Sequence, residues 1–296
     1  GNLVKSIDKK YQKISISGIS FDSRKVKKKN IFFAINGQKT SGNKFIGEAI
    51  LKGAAVIITD KKIKPNNFKI PIMQVDDCRK VLSEASSKFY KKKPNNIIAV
   101  TGTNGKTSVA DFFYQILKLN KIEVASIGTL GVISRKYKKI TNLTSVDPLY
   151  LHKTLKLLAK NGVNNVIIEA SSHGLKQKRL DNLNFKIGIF TNLSRDHLDY
   201  HKNMNSYFNA KMHLLKNLLN SKSKIITDED NKQFNFIKNN INKKLITIGS
   251  KSGTIKILDN HYNENKQIIK IFMNSKIYNL EIPLIGYFQI KNLLMA

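Results

Sequence analysis

The sequence predicts an α/β protein: a small N-terminal α/β domain over residues 1–93, then a mostly parallel-sheet, P-loop domain over 94–296. Three observations predict it. Short apolar runs of strand length alternate with longer helical patterns, the signature of parallel sheets covered by helices. One such run, IIAVT (97–101), feeds directly into the glycine-rich turn GTNGKTS. A polar, proline-containing break, YKKKPNN (90–96), divides the chain into parts of domain size.

In the first part, ISISGISF, NIFFAI, AAVIIT and IPIMQV read as strands, and GNKFIGEAILKGA between the second and third reads as a helix closed by glycine. In the second part, SVADFFYQILKLNKI is helical and EVASIG is a strand. DPLYLHKTLKLLAKNG is helical, and NVIIEAS and FKIGIFTNL are strands. SYFNAKMHLLKNLL is helical, and SKIITDED is a strand leading into an acidic turn. GTIKIL and KQIIKIFM pair as a hairpin, whereas the Asn- and Lys-rich stretch 229–244 shows only mild bias. The final IPLIGYFQIKNLLMA opens a helix.

Composition excludes several classes. No apolar run approaches the ~20 residues of a membrane span, and the first residues, GNLVKSIDKK, lack the apolar core of a signal peptide. A single cysteine, Cys78, excludes an internal disulfide framework and fits a reducing, cytoplasmic compartment. The formal net charge is +32, yet only Arg24, Arg79, Arg135, Arg179 and Arg195 among the 52 basic residues are arginine. The lysines are spread along the whole chain, which reads as a solvated surface rather than a nucleic-acid interface.

The turn at 102–108 is built for phosphate. Backbone N–H groups at the positive end of a helix face anionic oxygens. Lys106 reaches the outer phosphates, and Thr107 offers a hydroxyl to Mg²⁺. Val100 stands where the general P-loop has its first glycine, and Gly102 falls three positions before Gly105 instead. In IIEASSHGLKQKRL (167–180) a strand delivers Glu169 to its C-terminal end, where ligands of such sheets collect, and a carboxylate there suits Mg²⁺. FTNLSRDHLDYHKNMNSYFNAK (190–211) packs Asp196, His197, Asp199 and His201 together, but the spacing follows no zinc pattern.

TGTNGKTS resembles the ATP loop of the Mur ligases and of folylpolyglutamate synthetase. EASSHGL…R and FTNLSRDHLDYH closely resemble segments of the Mur ligases that add the third peptide residue of peptidoglycan precursors. FDSRKV…FFAINGQKTSG (21–42) resembles their N-terminal domain, with Ser41 where the family has Asp. TNLTSVDP (141–148) resembles their T-T-P-D stretch.

The resemblance implies an ATP-dependent ligase of cell-wall biogenesis, tied to cell shape and division. A carboxylate of UDP-MurNAc-L-Ala-D-Glu becomes an acyl phosphate, and a diamino acid, meso-diaminopimelate or L-lysine, attacks it. By the same resemblance, ATP is held by Gly102, Thr103, Asn104, Gly105, Lys106, Thr107, Ser108 and Asn192. The substrate is held by Phe21, Ser23, Gln38, Lys39, Thr40, Leu143, Thr144, Ser145, Ser171, Gln177 and Arg179. Lys106, Glu169, His197 and Lys211 are the implied catalytic residues. Mg²⁺ is held by Thr107, Glu169, His197 and Lys211, the last carbamylated by CO₂.

The family's third domain, which holds the amino-acid pocket, is expected beyond Ala296, so this chain alone is expected to be inactive. A monomer is expected, with no nucleic-acid partner. The alternatives are another ligase of this fold, acting at a neighbouring murein step or on folates, and a non-catalytic polybasic nucleotide-binding module.

Overall fold

The computed structural model describes residues 3, 11, 13–37, 40–61, 68–141, 143–263 and 266–296. The chain divides into two compact units. The first comprises 1–93, 147–157 and 177–182, and the second comprises 94–146, 158–176 and 183–296. The break after Lys93 lies inside the polar stretch 90–96. Segments 147–157 and 177–182, expected with the second domain, cluster with the first unit instead.

The first unit is built on four parallel strands in the order β1 (Gly18–Ser20), β2 (Asn30–Ala34), β3 (Val56–Thr59) and β4 (Ile72–Gln74). NIFFA and VIIT are buried along their whole length, as strands covered on both faces must be. The period of two sorts them between two layers. Ile31, Phe33, Val56 and Ile58 pack with Cys78, Leu82 and Ala85 of α2 (Cys78–Phe89). Phe32, Ala34 and Ile57 pack with Ile46 and Ala49 of α1 (Ile46–Leu51). The Asp77 side chain caps α2 by accepting from the Lys80 N–H at 2.9 Å. Cys78 is fully buried, and burial pushes its thiol up to about 12, so it serves the core as a small apolar residue.

The second unit carries an eleven-stranded sheet. Its strands are β5 (Asn96–Thr101), β6 (Val124–Gly128), β7 (Gly131–Ser134), β8 (Lys138–Lys139), β9 (Asn165–Glu169), β10 (Phe185–Phe190), β11 (Leu219–Asp228), β12 (Lys244–Gly249), β13 (Ile255–Asn263), β14 (Lys266–Met273) and β15 (Lys276–Ile282). Their order is β15-β14-β13-β12-β11-β10-β5-β9-β6-β7-β8. The strands from β13 through β6 in this order are parallel, while the pairings β6–β7, β7–β8, β13–β14 and β14–β15 at the two margins are antiparallel.

β5 lies between β9 and β10, so the chain winds outward from it in both directions. That arrangement opens a crevice at the C-terminal end of β5. α3 (Lys106–Leu119) and α9 (Tyr287–Met295) pack over it: Val109, Ala110, Ile290 and Met295 share one core with Ile98, Val100, Ile167 and Ile189. The remaining helices are α4 (Pro148–Lys160), α5 (Ser172–Lys176), α6 (Leu198–His201), α7 (Met204–His213) and α8 (Phe234–Asn240).

Two local expectations change. The helix expected over 206–219 stops at His213 and widens into a π turn, Leu214–Leu218. The buried side chain of Leu215 is seated against Gly188 of β10, where an added Cβ would lie 2.9 Å from Leu215 Cδ2. The mildly biased stretch 229–244 holds α8 and the start of β12, whose only firm core residues there are Ile237 and Ile241. Among the described residues no helix is long and apolar enough to cross a membrane.

Candidate functional site

The phosphate turn leaves β5 at Thr101 and enters α3 at Lys106. Gly102 has φ 151°, and a Cβ on it would fall 1.8 Å from Thr191 Oγ1. Gly105 has φ 85°, and its Cβ would fall 2.4 Å from Asn292 Oδ1. Both positions therefore require glycine for conformation and for space.

Gly105 caps α3 without a side chain, so the first N–H groups of the helix, Lys106, Thr107 and Ser108 among them, have no side-chain cap. Asn192 braces the turn: its Oδ1 accepts from the Asn104 N–H at 2.9 Å, and its carbonyl accepts from the Thr103 N–H at 3.0 Å. The Thr103 hydroxyl lies 3.1 Å from the Tyr207 hydroxyl. Lys106 folds back over the turn, donating to the Gly102 and Thr103 carbonyls at 3.0 and 2.8 Å. Burial pulls its ammonium below the ordinary lysine value, against Glu169 and Asp196.

Glu169, at the end of β9, is 1% exposed. A buried carboxylate needs donors, and it has three. Thr107 Oγ1 donates to Oε2 at 2.9 Å, the Thr129 N–H to Oε1 at 2.8 Å, and Thr129 Oγ1 to Oε2 at 3.1 Å. Gly128 makes room, since a Cβ there would lie 2.1 Å from Oε1. The Thr107 and Glu169 oxygens are a hard donor pair beside the phosphate turn, and that chemistry suits Mg²⁺.

Lys211 of α7 is also 1% exposed. Its Nζ donates to the Gly102 carbonyl at 2.6 Å and lies 4.4 Å from the Tyr207 ring centre. Burial, with help from Lys106, pushes it down to about 6, so the amine is largely neutral above that pH. His197 adopts φ 50°. Its N–H donates to Asp196 Oδ1, and its ring packs edge-on to His173 at 4.9 Å and to Tyr207 at 6.1 Å. Among the described residues no group of three or more His, Cys, Asp and Glu is placed to hold a metal ion.

The expected substrate residues fall into both units. In the second, Leu143 is exposed and Thr144 Oγ1 lies 3.1 Å from Thr129 Oγ1. Ser145 donates to the Glu169 carbonyl at 2.9 Å and accepts from Ser171 Oγ at 3.0 Å.

In the first unit, Phe21 is partly exposed, and Ser23 is buried with its hydroxyl donating to Glu48 Oε2 at 2.6 Å. Thr40 is exposed, while Gln38 and Lys39 lie outside the described residues. Gln177 Oε1 accepts from Arg179 Nε and Nη2 at 3.1 and 2.7 Å, and from Arg79 Nη1 at 3.5 Å. Arg79 Nη2 also holds the Asn36 carbonyl at 2.8 Å.

Arg79, Thr129, Asn292 and Tyr207 are neighbours of the site that the motifs did not identify. The scarcity of arginine was a usable signal for Arg79. Tyr207 lies inside the 190–211 stretch without being assigned a role there, and nothing in the local sequence singled out Thr129 or Asn292.

A model of the "Mur ligase middle domain" matches residues 100–296, and one of the "Mur ligase family, catalytic domain" matches 15–90. The chain is 41% identical over 294 residues to the UDP-N-acetylmuramoyl-L-alanyl-D-glutamate--2,6-diaminopimelate ligase of Rickettsia conorii, covering 97% of this chain and 60% of the relative. It is 38% identical over 289 residues to the protein of the same name from Brucella melitensis, covering 96% and 59%. The chain thus spans about 60% of the length of these relatives.

A solved structure of a UDP-N-acetylmuramoyl-L-alanyl-D-glutamate--2,6-diaminopimelate ligase superposes with TM-score 0.84 at 29% identity, over 99% of this chain and 61% of that one. MurF ligase from Thermotoga maritima, in complex with ADP, superposes with TM-score 0.61 at 18% identity over 93% and 60%. At that identity the likeness is one of fold.

Proposed function

The chain belongs to the Mur ligase family, and from that premise we propose that its two units bind UDP-MurNAc-L-Ala-D-Glu and ATP for a cytoplasmic ligation of peptidoglycan precursor synthesis. The added residue is diaminopimelate, the amino acid in the names of the relatives from Rickettsia conorii and Brucella melitensis. The name shared by these relatives argues against a neighbouring murein step. In the proposed reaction a substrate carboxylate oxygen attacks the γ-phosphorus of ATP, and the bond to the β–γ bridging oxygen breaks, releasing ADP. The acyl phosphate is then attacked by the amine of the diamino acid. An amide forms, the amine loses a proton, and inorganic phosphate leaves.

The 102–108 turn and the α3 N-terminus hold the phosphates, and Lys106 swings from the Gly102 and Thr103 carbonyls onto their outer oxygens. Thr107 and Glu169 would hold Mg²⁺, which neutralises charge on the phosphates when bound. Ser23 and Thr40, with Gln38 and Lys39, take the uridine diphosphate. Thr144, Ser145, Ser171, Gln177 and Arg179 take the peptide-bearing part.

The observation that carries this reading is Lys211: a buried amine, pushed down to about 6, donating to the phosphate turn itself. A neutral amine captures CO₂, and the resulting carbamate supplies the anionic oxygen donor that Glu169 lacks as a metal partner. His197 is proposed as a further member of that ligand set.

The test is carbon-13 NMR of the chain equilibrated with labelled bicarbonate, alongside calorimetry with UDP-MurNAc-L-Ala-D-Glu. A carbamate resonance in the wild type that Lys211→Met abolishes, together with saturable binding of the muramoyl dipeptide, is expected. A resonance that survives Lys211→Met would remove the carbamate, and no binding would remove the substrate.

A further inference from the structure

Thr129 belongs to no phosphate motif and to none of the segments expected to touch substrate. It follows β6 at the tip of the β6–β7 turn and is exposed. Packing therefore gives no reason for its identity, yet its N–H and its hydroxyl are both engaged. Its N–H donates to one oxygen of Glu169 and its hydroxyl to the other, at 2.8 and 3.1 Å, and the hydroxyl also lies 3.1 Å from that of Thr144. Two bonds to different oxygens fix the plane of a carboxylate in a way that one bond cannot.

Counting protons gives the chain of hydroxyls a direction. A threonine hydroxyl has one proton and two lone pairs, whereas a carboxylate only accepts. The Thr129 proton goes to Glu169 Oε2, so between Thr129 and Thr144 the donor is Thr144. The Thr144 proton is thereby committed inward, and its two lone pairs are what it offers outward. On the other side of Glu169 the same logic applies to Thr107: its proton also goes to Oε2 at 2.9 Å, leaving its lone pairs for a cation.

We infer that Thr129 is a positioning residue that orients the Glu169 carboxylate for Mg²⁺ and, through the same hydroxyl, makes Thr144 an acceptor that selects an N–H donor of the peptide part of the substrate. The second half rests on the substrate reading above. A carboxylate or phosphate at Thr144 would face lone pairs and be disfavoured. A sugar hydroxyl can rotate to suit either polarity, so the peptide N–H, which only donates, is the group this arrangement distinguishes.

Thr129→Val keeps shape and backbone N–H but removes the hydroxyl, and Thr129→Ser restores it. Two measurements decide the matter. The first is the Mg²⁺ concentration needed for tight ADP binding, which requires no muramoyl ligand. A hydrogen bond to a charged group is stronger than one between neutral groups, so Thr129→Val should raise that concentration roughly tenfold and Thr129→Ser should leave it near the wild-type value. An unchanged Mg²⁺ requirement in Thr129→Val overturns the positioning role, whatever the second measurement gives.

The second is binding of UDP-MurNAc-L-Ala-D-Glu against two depsipeptide analogues, each with one amide N–H replaced by an ester oxygen. The wild type should bind one analogue roughly tenfold more weakly than the parent. Thr129→Val, in which Thr144 is free to donate, should lose most of that discrimination, and Thr129→Ser should retain it. A merely structural effect would weaken all three ligands alike. Equal binding of parent and analogues by the wild type, or an undiminished penalty in Thr129→Val, overturns the acceptor assignment while leaving the substrate reading intact. Failure of the wild type to bind the parent dipeptide overturns the substrate reading and the acceptor assignment together, and the Mg²⁺ measurement still decides the positioning role.

Discussion

The two units build their polar sites by different means. In the second unit the phosphate turn, Glu169 and Thr191 all sit at the ends of neighbouring parallel strands, and the geometry is fixed by backbone register and by glycines with no room for a Cβ. In the first unit the polar cluster is assembled from the side chains of Arg79, Gln177 and Arg179 and the Asn36 carbonyl, which come from three separate stretches of sequence and meet through hydrogen bonds made by side chains. The difference teaches that backbone-built sites concentrate function in one or two groups, whereas side-chain-built sites distribute it.

The sharpest test of that contrast is Lys106→Ala. The variant removes the one side-chain cation of the turn, and with ~1.5–3 kcal/mol attached to a charged hydrogen bond the affinity for ATP–Mg²⁺ should fall ~100-fold by calorimetry. A loss of only a few-fold would mean that the helix terminus carries the phosphates without it.

Arg79→Ala should do less. Gln177 keeps two bonds from Arg179, so affinity for UDP-MurNAc-L-Ala-D-Glu should fall by roughly 3–10-fold, the worth of one hydrogen bond, with ATP binding unchanged. A loss as large as that of Lys106→Ala would erase the comparison.

The smallest effect concerns stability. His152 is fully buried in the first unit, and burial, with help from the charge of Lys93, pushes it down to about 3. Its folded value lies below the unfolded one. As pH falls from about 6.5 toward 3 the unfolded chain gains a proton that the folded chain refuses, and stability declines across that window. His152→Leu should flatten this part of the pH–stability curve in thermal unfolding. If the decline persists unchanged, the carboxylates and not His152 produce it.

The backbone-built site was the more legible of the two. Gly102, Gly105 and Lys106 stand within five residues of one another, and both glycines take the positive φ and the crowded places that a tight strand-to-helix turn needs. Strands β2, β3 and β5 were equally plain, because strands covered on both faces are unbroken apolar runs. Thr129 and Asn292 were silent in sequence, since each acts at a distance: one on a carboxylate forty positions away, the other over a glycine at the opposite end of the unit. The π turn at Leu214–Leu218 was illegible for a related reason, as its pattern stays helical while Gly188 of another strand decides how Leu215 is seated. Arg79 was visible only as a rare residue type, and its partners had to come from the fold.

The roof that Asn292 places over Gly105 has a consequence in time. The phosphate turn is translated early and α9 late, and ribosomes add only ~5–20 residues per second. The nascent chain therefore exposes an open anion cradle, in a cell rich in nucleotides and other phosphates, for on the order of ten seconds or more before the helix that covers it is made.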